Sequence, residues 1–159
     1  MTSKNEKIDL LRKWEPRCET FAGEVIDSPE AIRKSPFPHR GDIFWIELGE
    51  NIGSEKNNFH PCIIASRDGY NHFSGMVSII PGTSAPLDPH KNPHASTYKL
   101  HRGEFIVFKS TTSQLPKKTL FQTQQIRSIS RNRLLAKIGT LTENELALLR
   151  SRIKDHLAI

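Results

Sequence analysis

Ile43-Phe44-Trp45-Ile46-Glu47-Leu48, Pro61-Cys62-Ile63-Ile64-Ala65-Ser66 and Met76-Val77-Ser78-Ile79-Ile80-Pro81 are the stretches whose reading decides the fold. Each is short and rich in β-branched or aromatic residues. The first two are followed by polar, glycine-containing segments, Gly49 to Asn58 and Arg67 to Gly75. That is the pattern of strands joined by turns. The middle run is apolar without alternation, which points to a strand buried on both faces.

Working outward, Pro86 to Pro93 reads as a long polar connection. Thr97 to Leu100 and Phe105 to Phe108 read as strands four and five, Thr119 to Ile129 as strand six, and Ala136 to Leu141 as a short seventh. Thr142-Glu143-Asn144-Glu145 is a capping box. Behind it Leu146, Leu149, Ile153 and Leu157 form one apolar stripe at helical spacing. Upstream, Ser3-Lys4-Asn5-Glu6 is another capping box, and Ile8, Leu11 and Trp14 predict a helix over 4–15 that Pro16 ends. Ser28-Pro29-Glu30 could open a further helical turn. Ser35-Pro36-Phe37-Pro38 must be extended, because each residue before a proline is pushed out of the helical region. The organisation is therefore an N-terminal helical extension and linker over 1–38, then a mainly β barrel domain over 39–159 with a C-terminal helix.

Charge narrows the partners. The chain carries a formal net charge of +6. Residues 1–38 hold seven basic and seven acidic side chains, so the excess lies beyond them. Within 91–137 there are ten Lys/Arg against one acid, Glu104. Such a one-sided stretch either faces an anionic partner, nucleic acid above all, or is a solvated basic face. No apolar run approaches the roughly 18 residues of a membrane span, and no secretory leader is legible, which favours a cytoplasmic protein. Cys18 and Cys62 are too few and too far apart for a zinc motif or a disulfide framework. His90, His94 and His101 match no standard zinc spacing, so no metal and no cofactor is expected. Among the aromatics, Phe105, Phe108 and Phe121 read mainly as core, and Phe73, in a polar loop, is the best candidate to stack on an unpaired base.

Four segments carry the reading further: Arg40-Gly41-Asp42-Ile43-Phe44-Trp45; Ile52-Gly53-Ser54-Glu55 leading to His60-Pro61-Cys62-Ile63-Ile64-Ala65; Ile79-Ile80-Pro81-Gly82-Thr83-Ser84; and Gln125-Ile126-Arg127-Ser128-Ile129, running into the last helix. In order and spacing they resemble the MazF/PemK family of toxin endoribonucleases, over roughly residues 39–159. The resemblance implies an SH3-like barrel of six to seven strands that forms a homodimer. It also implies a groove for single-stranded RNA, messenger RNA included, metal-free cleavage, and a cognate antitoxin protein that fills the groove.

The resemblance assigns candidate residues. Thr83 matches the family's Thr or Ser at the end of strand three. The family's catalytic Arg, just before the strand-two proline, is replaced here by His60. Histidine can move protons near neutral pH, but it lacks the permanent charge and bidentate grip of guanidinium. Ser54 and Glu55 match the loop lining the groove, and Glu55 is a second candidate base. Gln125 and Arg127 match a Gln-Ile-Arg segment that would share one strand face, with an ion pair to Asp42 as a structural rival for Arg127. Two other readings stay open: an RNA-binding module whose chemistry was lost with the Arg, and a toxin aimed at DNA gyrase.

Overall fold

A computed structural model describes residues 2–30, 37–85, 99–108 and 112–159. Helix α1 spans Lys4–Asp27. Strands β1 (Asp42–Glu47) and β2 (Phe59–Ile64) follow, then the short helix α2 (Asp68–Phe73) and strand β3 (Met76–Ser84). Strands β4 (Glu104–Val107), β5 (Thr119–Gln122), β6 (Arg127–Ser130) and β7 (Leu134–Thr140) complete the sheet, and helix α3 (Glu143–Leu157) closes the chain. The strands form one seven-stranded sheet in the order β4-β5-β3-β2-β1-β7, with β6 also paired to β3. All pairings are antiparallel. A bridge between Ser113 and Gly139 brings the segment after β4 to β7, which curls the sheet toward closure.

The unalternating run on β2 is buried on both faces, as expected. Ile63 enters a cluster with Ile43, Ile80, Phe105 and Phe121, against which Leu149 of α3 packs. Cys62 and Ile64 enter a second cluster with Ile46, Leu48, Val77 and Ile79. Helix α3 begins with the expected capping box: Thr142 accepts from the Glu145 amide, and Glu145 reaches back to the Thr142 amide.

Three expectations need correction. Helix α1 does not stop at Pro16 but runs through it to Asp27. A mid-helix proline forfeits a backbone bond and is costly. Here Trp14, Arg17 and Phe21 anchor both flanking turns to the rest of the protein. Second, Thr119 to Ile129 is not one strand. The long strand β3 pairs with β6 over Met76 to Ile79 and with β5 over Gly82 to Ser84. Between these partners the chain turns a corner in a three-residue 3₁₀ helix, Thr123–Gln125, tied by the Thr123 amide and hydroxyl to the Gly103 carbonyl. Third, Lys99 and Leu100 are not in a strand. The remainder of that expected strand, the Pro86 to Pro93 connection, His90, His94 and most of the 28–38 linker lie outside the described residues.

Replacing Thr142 by alanine removes the α3 cap. We expect a loss of about 1 kcal/mol, and so a melting temperature lower by roughly 2–4 °C, measurable by calorimetry.

Candidate functional site

The open end of the β2–β3 ladder gathers most of the chemistry. Cys62 lies opposite Pro81, Ile63 opposite Ile80 and Ile64 opposite Ile79. Continued outward, this register sets His60 across from Thr83. The imidazole confirms the proximity: His60 Nδ1 lies 2.7 Å from the carbonyl oxygen of Gly82, next to Thr83. A carbonyl only accepts, so Nδ1 carries the proton and the neutral ring keeps its lone pair on Nε2. Gly82 is required there. A Cβ would lie 2.6 Å from both the Phe121 ring and the Thr119 methyl, so only glycine lets β3 and β5 approach this closely. Thr83 is half-buried, and among the described residues its hydroxyl makes no hydrogen bond.

A polar network flanks this pair. Gln125 donates from Nε2 to the Ser54 carbonyl at 3.1 Å. Arg127 donates to Gln125 Oε1 at 3.2 Å and meets Glu55 at 3.5 Å. Ser54, Glu55, Gln124, Gln125, Ile126 and Arg127 line an open cleft of about 410 Å³. Gln125 sits in the 3₁₀ corner rather than on a strand, which corrects the shared-face argument, yet its side chain still meets Arg127. The suggested Arg127–Asp42 pair does not form. Asp42 instead takes Lys137 at 2.7 Å and the Thr140 hydroxyl at 3.0 Å, leaving Arg127 to the cleft.

Electrostatics set the state of His60. Burial lowers its pKa below the ordinary value, opposed by the carbonyls of Gly82 and Asn57 and assisted by the positive charges of Lys56 and Arg127. Lys56 is itself half-buried, and burial lowers its pKa too, against the pull of Glu104. No salt bridge to Lys56 forms among the described residues. The sequence reading missed Lys56. Its one available signal was position: a cation beside Glu55 in the same loop.

Not every candidate joins. Phe73 ends α2, at the far end of the β2–β3 ladder from His60, and is 83% exposed. There it packs edge-on against His72, not against the cleft. Phe105 and Phe121 are core, whereas Phe108 is exposed beside Lys118. Arg131 and Arg133 brace the fold through carbonyls: Arg131 bonds that of Asn71 and Arg133 that of Glu47. Among the described residues no cluster of His, Cys, Asp and Glu could hold a metal, and no helix is long and apolar enough to cross a membrane.

The fold is a small β-roll of curled antiparallel strands that sets an imidazole beside a hydroxyl, with two cations, Lys56 and Arg127, near enough to bear on the ring. The chain belongs to the family of PemK-like, MazF-like toxins of type II toxin–antitoxin systems, whose model matches residues 39–157. It is 32% identical over 123 residues to the endoribonuclease MazF9 of Mycobacterium tuberculosis, covering 74% of this chain and 94% of that one. It is 25% identical over 117 residues to the endoribonuclease toxin MazF of Escherichia coli, covering 73% and 90%. The fold is that of MazF from Deinococcus radiodurans, with a TM-score of 0.60 at 19% identity over 77% of this chain and 98% of that one. A mycobacterial endoribonuclease solved with its cognate antitoxin gives 0.57 at 15% identity, covering 77% and 96%.

The depressed His60 pKa fixes the sign of a pH effect. The folded state binds fewer protons at this site than the unfolded chain does. The residue's contribution to stability is thus intact above its ordinary value of about 6.5 and is lost as pH falls below it. We expect the His60 ring to titrate below 6.5 by NMR. A midpoint above that value would show that the carbonyls, not burial, dominate.

Proposed function

We propose that this chain is the toxin of a toxin–antitoxin pair and a metal-independent endoribonuclease that cuts single-stranded RNA, messenger RNA included, in the cytoplasm. The observation that carries the reading is the His60–Gly82 hydrogen bond, which sets a neutral imidazole beside Thr83 at the open end of β2 and β3. The family membership and the relatives' endoribonuclease activity support it.

The reaction asks for a base at the ribose 2′-OH, a proton for the departing 5′-oxygen, and positive charge or donors at the phosphate. His60 Nε2 takes the 2′-OH proton. The 2′-oxygen attacks phosphorus, and the bond to the 5′-oxygen breaks as that oxygen takes a proton from solvent water, to which the imidazolium then returns its own. The imidazolium formed is held by the Gly82 and Asn57 carbonyls, which already favour the charged ring. Thr83 donates its unused hydroxyl to a phosphate oxygen. Lys56 and Arg127 supply the cationic field that a family arginine at position 60 would have given. A neutral base and two separate cations thus divide the work of one residue. Ser54, Glu55, Gln125 and Arg127 line the cleft along which the strand runs, with the Gln125 amide able to read a base edge.

In this reading the toxin acts as a homodimer whose two clefts join into one groove, and a cognate antitoxin occupies that groove. The M. tuberculosis and E. coli relatives and the mycobacterial toxin–antitoxin complex support that partner class.

Thr83→Ala and His60→Ala should each lower cleavage of a defined single-stranded RNA by about 10²–10⁴-fold, relieving growth inhibition while size-exclusion chromatography still shows a folded protein. Wild-type cleavage by His60→Ala would remove the imidazole from the mechanism. Tight binding by the wild-type protein with the RNA left intact would instead make the chain a non-catalytic RNA-binding module.

A further inference from the structure

Residues before 39 stand outside the family match, yet α1 grips the loop that carries the cleft residues. Arg17 holds the Glu47 carboxylate through two nitrogens at 3.0–3.2 Å. The Trp14 ring lies flat against Gly49. A Cβ on Gly49 would come within 1.9 Å of that ring, and Gly49 also has φ +67°, which disfavours any side chain. Lys7 pairs with Glu50, whose side chain is only 6% exposed. From Glu50 the contacts continue inward. The same carboxylate oxygen accepts from Asn57 Nδ2 at 3.2 Å, and the Asn57 backbone carbonyl is one of the two that face His60. Lys7, Glu50 and Asn57 therefore tie the extension to the end of the loop that leads into His60.

The loop needs such support. Its neck is closed by backbone bonds between Leu48 and Asn58 and between Asn58 and Gly49. Beyond the neck Gly53, Ser54 and Glu55 are exposed and lie in no helix or strand. Asn51 ties the loop internally to Leu48, Lys56 and Asn57, and Gln125 and Arg127 hold its tip at Ser54 and Glu55; ordering the exposed remainder costs conformational entropy that a fixed base lowers.

We propose that α1 is a brace that holds the 49–58 loop in its working position, with Trp14 as the main positioning residue and the Lys7–Glu50 pair as the second. The inference rests on the endoribonuclease reading for its kinetic consequence. Displacing reacting groups by about 1 Å can cost on the order of 10²-fold in rate, so a loosened loop should lower turnover more than affinity.

The test uses the full chain. Trp14→Ala should lower kcat roughly tenfold or more with KM little changed, and Trp14→Phe should recover most of the loss. Hydrogen exchange measured without RNA should speed up at residues 50–58 while β2 and β3 stay protected. Lys7→Met leaves the Trp14 packing in place. It should move both readouts the same way by less, and it decides the matter if Trp14→Ala fails to fold. Unchanged exchange and wild-type kcat in the variants overturn the brace. Faster cleavage also overturns it, since α1 would then cover the groove. If the wild-type chain leaves RNA intact, the nuclease reading falls, and the exchange measurement still judges the brace alone.

Discussion

Cys62, Ile63 and Ile64 have no solvent exposure, and they pack alternately into two separate apolar clusters. A strand burying both faces has no freedom to slip, because a shift by one residue would exchange the two sets of side chains. Full burial of each such side chain is worth about 1.5–3 kcal/mol. The register of β2 against β1 and β3 is therefore fixed by the core, and with it the position of His60, two residues before Cys62. The site is an end effect of the packing. Where β2 leaves the core, its next polar residue meets the end of β3.

That placement explains why a histidine can stand where the family has arginine. A guanidinium carries its charge in every state. His60 is partly buried beside two cations, and all three influences keep it neutral. In the proposed mechanism it takes a proton, while Lys56 and Arg127 supply the positive charge. The Gly82 carbonyl has two consequences. It selects the tautomer with an open Nε2, and it stabilises the imidazolium once a proton arrives. On that proposal the exchange of arginine for histidine redistributes roles without emptying the site of charge.

Much of this was legible in the sequence. The β2 run reported its double burial through the lack of alternation, and the two capping boxes located the starts of α1 and α3. Thr83, His60, Ser54, Glu55, Gln125 and Arg127 came from motif order as candidates; the structure sets His60 beside Thr83 and gathers the other four in one cleft. What failed was whatever depended on distant partners. Pro16 looked like a stop because local propensity says so, but Trp14, Arg17 and Phe21 hold the helix across it. The corner at Thr123–Gln125 was hidden because a strand that changes neighbour keeps a strand-like composition. Lys56 carried no periodic signal, and only proximity to His60 gives it meaning.

The extension shows the same dependence from the other side. Its sequence is charge-neutral and amphipathic, which alone says only that it packs on something. Its polar anchors fall on two places: Glu47 to Glu50, where β1 gives way to the cleft loop, and Asn132, which donates to the Phe21 carbonyl and the Glu24 carboxylate. Leu10, Lys13 and Trp14 share one crevice with Gly49, Glu50 and Phe59. There the Trp14 ring is pressed against a glycine in a left-handed conformation, which fixes one backbone hinge. Spending the largest aromatic of the helix on that hinge makes sense if the loop beyond it must be held still.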